Sequence, residues 1–352
     1  MNDEGGVFVG GGDRSAARQP DGERRVDARP NNGHRSANGR RPRILPYSWI
    51  IGQDAAKTAL ELSFIEPRIG GVLISGQRGT AKSTVARSFN LMMTGSLPVT
   101  LPINATDDRI VGTLDVPALL EGEWKERKSL LQEAGLGEVL YVDEVNLLDD
   151  HIVNLLLDVV STGQLVVAHA VSDLRAEISF HLVGTMNPEE GSLRPQLLDR
   201  FGLLVEMTTE SSVDVRARIL DRVLEFDQVH RTGETPEYRK ALDDDRDRMN
   251  QLREARDRLT EGGVVLPETA RLQCARVAAA LDVVGHRGDV TLARAAQAYA
   301  ARRGAGVTEG ADIQAVARFV LPHRRGAISR GGAATWSEAD EATVRTVIDG
   351  DA

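Results

Sequence analysis

GVLISGQRGTAKSTVARSFNLMM, residues 71–93, decides the fold. A short apolar run ends at Gly76, a glycine-containing loop GQRGTAKST (76–84) follows, and the residues after it take up helical spacing. Strand, loop and helix in that order are the context in which a P-loop is credible. A triphosphate needs backbone N–H groups converging on its oxygens, a helix N-terminus facing its charge, and a lysine reaching the β and γ groups. Gly76, Gly79, Thr80, Ala81, Lys82, Ser83 and Thr84 are the candidate nucleotide-binding residues. The Ser83 hydroxyl suits Mg2+, which prefers hard oxygen donors. The general pattern G-x-x-x-x-G-K-[ST] has a glycine where this chain has Ala81.

Working outward, four further apolar runs have the length and Val/Leu/Ile content of buried strands: PVTLPI (98–103), EVLYVD (138–143), FHLVGTM (180–186) and GLLVEM (202–207). Amphipathic stretches lie between them, which predicts an α/β fold with a parallel sheet and crossover helices. In DHIVNLLLDVVSTG, Ile152, Leu155, Leu156 and Val159 recur at helical spacing and Gly163 is a stop signal. The segment GQLVVAHAVSDLRAEISFHL alternates as a β-hairpin inserted before the next strand. After about residue 211 the strand signals fade into a series of helices, one of them (KALDDDRDRMNQLREARDRL) so charged that a solvated face or an arm across an oligomer is as good a reading as a core helix. The expected organisation is a tail over 1–43, an α/β nucleotide-binding domain over 44–210, and a helical linker with a small lid domain over 211–352.

The run VLYVDEVNLLDD (139–150) brings Asp143 and Glu144 out at the carboxyl end of a strand, beside the P-loop. Asp143 is the candidate Mg2+ ligand and Glu144 the candidate catalytic base, set against the plainer reading of a strand ending in an acidic turn. Asn187, at the tip of FHLVGTM, can read a phosphate or the attacking water. As Asn-Pro it is also a common turn starter. Arg200, in RPQLLDRF, has a guanidinium that forks onto phosphoryl oxygens and suits insertion into a neighbouring subunit, the alternative being a surface ion pair with Asp199.

Charge and composition narrow the classes. A formal net charge of −9 gives no global reason to bind nucleic acid, and no basic groove interleaved with aromatics stands out, which counts against a helicase-type motor. No apolar run approaches the roughly 18 residues of a membrane span and no signal pattern opens the chain, so a cytoplasmic protein is expected. The tail, Gly- and Arg-rich with almost no apolar periodicity, is expected to be disordered. The single cysteine, Cys274, offers neither a disulfide partner nor a thiolate cluster.

The ordered set IGQDAAKTAL, EPRIGGVLI, GTAKST, LPINATDDRIVGTLD, VLYVDEVNLLDDHIVNLLLDV, VGTMNPEEGSLRPQLLDRFGL and GHRGDVTLARAAQA resembles the I subunit of magnesium chelatase, over roughly residues 46–325. That family also has GTAKS in its P-loop, so Ala81 becomes support. The resemblance implies an AAA+ ATPase using ATP and Mg2+ in a homo-oligomeric, hexameric ring. It also implies two partners, an integrin-domain ATPase-like subunit and a large porphyrin-binding subunit that inserts Mg2+ into protoporphyrin IX. It assigns Gly76, Gly79, Lys82, Ser83 and Thr84 to Walker A, Asp143 and Glu144 to Walker B, Asn187 to sensor 1 and Arg200 to the trans-acting finger. Arg294 matches sensor 2, expected on the γ-phosphate of its own subunit, with Arg287 as the alternative. Two departures bear on the partner: the family's Pro-Gly-Leu-Leu loop is replaced by ERKSLLQEAGLGEVL, and Ile103 and Asn104 stand where Leu-Gly is usual. Cobalt insertion into a corrin ring and a MoxR-like chaperone that matures another metalloprotein are the competing readings.

Overall fold

The computed structural model describes residues 42–114, 126–127, 129–168, 173–329 and 334–350. The reading of the N-terminal tail therefore lies outside the described residues, apart from its last two positions. Among the described residues the strands are β1 (Val72–Gly76), β2 (Val99–Leu101), β3 (Thr113–Leu114), β4 (Glu126–Arg127), β5 (Leu136–Val142), β6 (Gln164–Ala168), β7 (Asp173–Glu177), β8 (Ser179–Met186) and β9 (Leu203–Met207). Five of them form one sheet in the order β2-β5-β8-β1-β9, with every pairing parallel. These are the five runs expected from the sequence. β6 and β7 pair antiparallel as the expected inserted hairpin, and β3 with β4 make a second, shorter one.

The strands are apolar on both faces because both faces are covered. Val72, Ile74, Val139, Tyr141, Val183, Leu203 and Val205 enter one core, while Leu73, Leu140, Val142, Leu182 and Leu204 enter the other. The second core is closed by the helix Asp150–Thr162 through Ile152, Leu156 and Val159, and that helix ends where Gly163 takes a left-handed φ of 69°. The first core is closed by the helices Asp54–Ile65 and Lys82–Thr94, and it continues into Leu292, Ala295, Ile313 and Val316 of the C-terminal helices Arg287–Arg302 and Gly310–Val320. The helical C-terminal part thus shares its core with one face of the sheet.

The highly charged helix runs from Pro236 to Thr260 and is not a free arm. Tyr238, Ala241, Leu252 and Ala255 are buried along one face. Asp245 accepts from the backbone N–H groups of Tyr47 (3.0 Å) and Ser48 (2.7 Å), fixing the chain where it enters the fold. Arg248 and Arg302 converge on the buried carboxylate of Glu61 at 2.5 and 2.6 Å. A buried carboxylate is tolerable only when its lone pairs are satisfied in this way. No helix among the described residues is long and apolar enough to cross a membrane.

Candidate functional site

β1 delivers the P-loop at its carboxyl end. A Cβ on Gly76 would lie 2.4 Å from the Met207 carbonyl oxygen of β9, so only glycine lets the two strands close there. Gly79 has φ 80° and Ala81 φ 68°. A left-handed alanine costs about 1–2 kcal/mol, and such strain concentrates at functional loops. Ala81 is the N-cap of the helix Lys82–Thr94, whose first N–H groups have no intrahelical partner and face the loop. Thr80 is buried and its hydroxyl donates to the Gln77 carbonyl at 2.9 Å. The Lys82 ammonium folds over the loop, donating to the carbonyl oxygens of Gly76 and, at 2.8 Å, Gln77. Desolvation holds its pKa below the usual lysine range, although Asp143, Glu144 and Glu190 pull the other way.

Beside it, β5 and β8 build a hydrogen-bonded cluster around Asp143. The Tyr141 hydroxyl lies 2.9 Å from Ser83 Oγ, 3.0 Å from Asp143 Oδ1 and 3.4 Å from Thr185 Oγ1. Thr185 donates to Asp143 Oδ1 at 2.6 Å and accepts from the Glu144 N–H at 3.2 Å. The Tyr141 ring is fully buried, and desolvation pushes the phenol up to about 12, so it stays protonated. Its single proton is shared between Ser83 and Asp143, which ties the helix after the loop to the acidic end of β5. Ser83 Oγ and the free oxygen of Asp143 are hard donors brought together at a helix N-terminus, which is the chemistry that Mg2+ requires. Glu144 sits one residue on with φ 52°, a conformation uncommon for glutamate.

Asn187 ends β8, the strand between those carrying the loop and the acids, and is 3 % exposed. Its Oδ1 accepts from the Glu189 N–H at 3.2 Å. The acidic pair that follows reaches back across the P-loop. Glu189 accepts from Gln77 at 3.1 Å, and Glu190 pairs with Arg78. Hydrogen bonds from Asn187 first, and from Arg78, hold the Glu190 carboxyl below its usual range.

Arg200 and Arg294 lie elsewhere. Gly202 N donates to Gly71 O at 2.8 Å, so Arg200 sits at the amino end of β9 and β1. The P-loop is at the other end, and five residues of strand at about 3.3 Å each put about 16 Å between the two edges. Arg200 pairs with Asp158 at 2.8 Å, and the partner considered for it, Asp199, is taken by Arg287 at 3.2 Å. Arg294 donates to the Arg68 carbonyl at 2.8 Å, just before β1. The expectation that Arg294 reaches the phosphate of its own chain is therefore corrected, because the lid docks at the sheet edge opposite the P-loop. Arg287 is at that same edge.

Lys82, Ser83, Asp143, Glu144 and Asn187 are thus brought together, and Arg200 and Arg294 each lie at the opposite end of the strands. Tyr141, Thr185, Gln77, Arg78, Glu189 and Glu190 were not anticipated. Tyr141 had a signal: it lies two residues before Asp143 on a strand and so shares its face. Thr185 needs the β5–β8 register, in which Val142 stands beside Gly184.

Comparisons with known proteins agree with this architecture. The AAA domain model of the dynein-related subfamily matches residues 71–201, and the AAA lid domain model matches 271–346. The magnesium-chelatase 38 kDa subunit of Rhodobacter capsulatus is 39% identical over 323 residues, covering 82% of this chain and 90% of that protein. An uncharacterised protein of Mycobacterium tuberculosis is 43% identical over 287 residues, and there the match spans 80% of this chain but 44% of the longer relative. The crystal structure of an ATPase candidate from Cytophaga hutchinsonii superposes with a TM-score of 0.58 at 16% identity, over 85% of this chain and 90% of that one, a likeness of fold alone.

Proposed function

As the chain belongs to the magnesium-chelatase I-subunit family of AAA+ ATPases, we propose that it is the ATP-hydrolysing motor subunit of a metal chelatase. Its hydrolysis would drive a partner to insert Mg2+ into protoporphyrin IX, or a related metal into a tetrapyrrole. The observation that carries the ATP-hydrolysing part of this reading is the convergence of Lys82, Ser83, Asp143, Glu144 and Asn187 at one end of a parallel sheet, around a glycine-containing loop, and the chelatase part rests on the family.

In this reading the loop from Gly76 to Thr84, with Gly79, Thr80 and Ala81, wraps the phosphates, and Lys82 leaves its loop carbonyls to bind the β and γ oxygens. Ser83 and Asp143 hold Mg2+, which when bound neutralises charge on those oxygens. Glu144 takes the proton of the attacking water and Asn187 orients that water. Arg200 and Arg294, about 16 Å from their own loop, serve the site of an adjacent copy, which calls for a ring and by family precedent a hexamer. Residues 44–210 form the nucleotide-binding domain and 211–352 the linker and lid. An integrin-domain ATPase-like subunit and a large porphyrin-binding subunit in the cytoplasm are the proposed partners.

Two measurements test this. Lys82→Ala in a folded protein should nearly abolish ATP binding, since it removes more than one charge-assisted contact of about 1.5–3 kcal/mol; unchanged affinity would remove the P-loop assignment. Reconstitution with chelatase partner subunits should yield metallated tetrapyrrole in an ATP-dependent way. ATPase activity without any metallation would favour the chaperone reading, which shares the same site.

A further inference from the structure

Arg324 is a guanidinium with no exposed side-chain surface, and the carboxylate it pairs with, that of Asp199, is 3.6 Å away. It lies in the one-turn segment Pro322–Arg324 after the lid helix Gly310–Val320. Its planar fork is turned on main-chain oxygens. NH1 donates to Gly202 O at 3.0 Å and to Val320 O, and NH2 donates to Asp199 O at 3.2 Å and to Phe201 O. Its Nε is 3.6 Å from the Asp199 carboxylate. The adjacent His323, buried and kept neutral by desolvation, has Nε2 3.0 Å from Phe201 O. A second lid residue, Arg287, holds the Asp199 carboxylate from outside.

The carbonyls at 199, 201 and 202 bracket Arg200. The same loop is fixed from the sheet side: Gly202 N donates to Gly71 O, and a Cβ on Gly202 would fall 2.2 Å from Ile69 O. A lid that needed only adhesion would use apolar side chains here, since burying a guanidinium is costly and replacing it with well-packed apolar groups is often neutral or better. What an arginine adds is direction, because five donors in a rigid plane fix the orientation of the carbonyls they meet.

We infer that Arg324 is the positioning residue of the arginine finger, holding the backbone on either side of Arg200 so that the lid of one subunit sets the aim of the finger offered to the next. This deepens the proposed function and rests on the reading of Arg200 as a trans-acting group. A shift of the lid displaces the finger without any change in the chain's own P-loop.

The test uses full-length chains assembled alone and in mixtures. Arg324→Met keeps a long side chain and removes every donor; Arg324→Lys keeps the charge and loses the fork. Each should bind ATP with wild-type affinity, and Arg324→Met alone should lose at least about 10²-fold in turnover, short of the roughly 10³–10⁵ that a missing finger costs. Mixed with Lys82→Ala subunits, which carry an intact finger, Arg324→Met should regain activity. Mixed with Arg200→Ala subunits, which lack one, it should not. A protein merely weakened in its fold would show neither the normal affinity nor that asymmetry. If Arg324→Met fails to assemble, Arg324→Lys carries the same comparison. Wild-type turnover by an assembled variant overturns the inference, as does failure of the Lys82→Ala rescue while Arg200→Ala with Lys82→Ala recovers. No recovery in that last mixture removes the finger reading itself, and this role of Arg324 with it.

Discussion

Removing one oxygen atom, in Tyr141→Phe, should separate metal-dependent from metal-independent nucleotide binding. The phenol is buried and touches Ser83, Asp143 and Thr185 within 3.4 Å, and the ring itself packs in the core and would stay. Its loss leaves Asp143 Oδ1 with one donor, Thr185, and leaves Ser83 Oγ without the phenol. Hydrogen bonds to charged groups contribute about 1.5–3 kcal/mol, and relief of the buried hydroxyl's desolvation offsets part of that, so a net loss of about 1–2 kcal/mol is expected. That corresponds to about tenfold weaker binding of Mg-ATP. Lys82 and the loop amides are untouched, so ATP measured in chelator should bind as to wild type. Calorimetric titrations with and without Mg2+, plus a Mg2+ series at fixed nucleotide, read the difference directly. An equal loss in both conditions, or none in either, would refute the idea that Tyr141 orders the metal donors.

Other outcomes follow from the same geometry. Glu144→Gln should bind Mg-ATP yet stall before hydrolysis, because the amide keeps the shape and loses the base; wild-type turnover would take Glu144 out of the mechanism. Arg200→Ala and Lys82→Ala, each inactive, should regain ATPase activity on mixing, with mass-confirmed mixed oligomers and no recovery counting against a trans role. Gly76→Ala should cost about 1–3 kcal/mol in denaturant unfolding, as overpacking against Met207 O does, and should weaken ATP binding. His181, buried, is held down to about 4 by desolvation and then by the nearby Arg256 charge. Its contribution is present above pH 6.5 and lost as the pH falls toward 4, about 3 kcal/mol in all, so His181→Gln should flatten that limb of a stability–pH curve.

The parts of the site that were legible in the sequence are those written in consecutive residues. The P-loop, the acidic strand end and Asn187 each declare themselves within a few positions, and the five strands follow from short apolar runs because both faces of the sheet are buried. Tyr141 and Thr185 meet only through strand register. Arg294 and Arg324 depend on where the lid docks, a contact between segments more than 100 residues apart. His323 and Arg324 are buried only by that docking. The charged helix stayed open between core and solvated face for a related reason: Arg248 meets its partner Glu61 only where segments distant in the chain come together.

The separation of the pocket from Arg200 and Arg294 along the strands gives each subunit a head and a tail. On the trans reading, contacts between copies are heterologous, the patch that gives differing from the patch that receives. An open row of such subunits always ends in one pocket with no arginine and one arginine-bearing end with no pocket. Closure of the row completes that last site without any new residue. Dilution that opens rings therefore silences whole sites rather than weakening all of them, and activity per subunit becomes a measure of how many rings are shut.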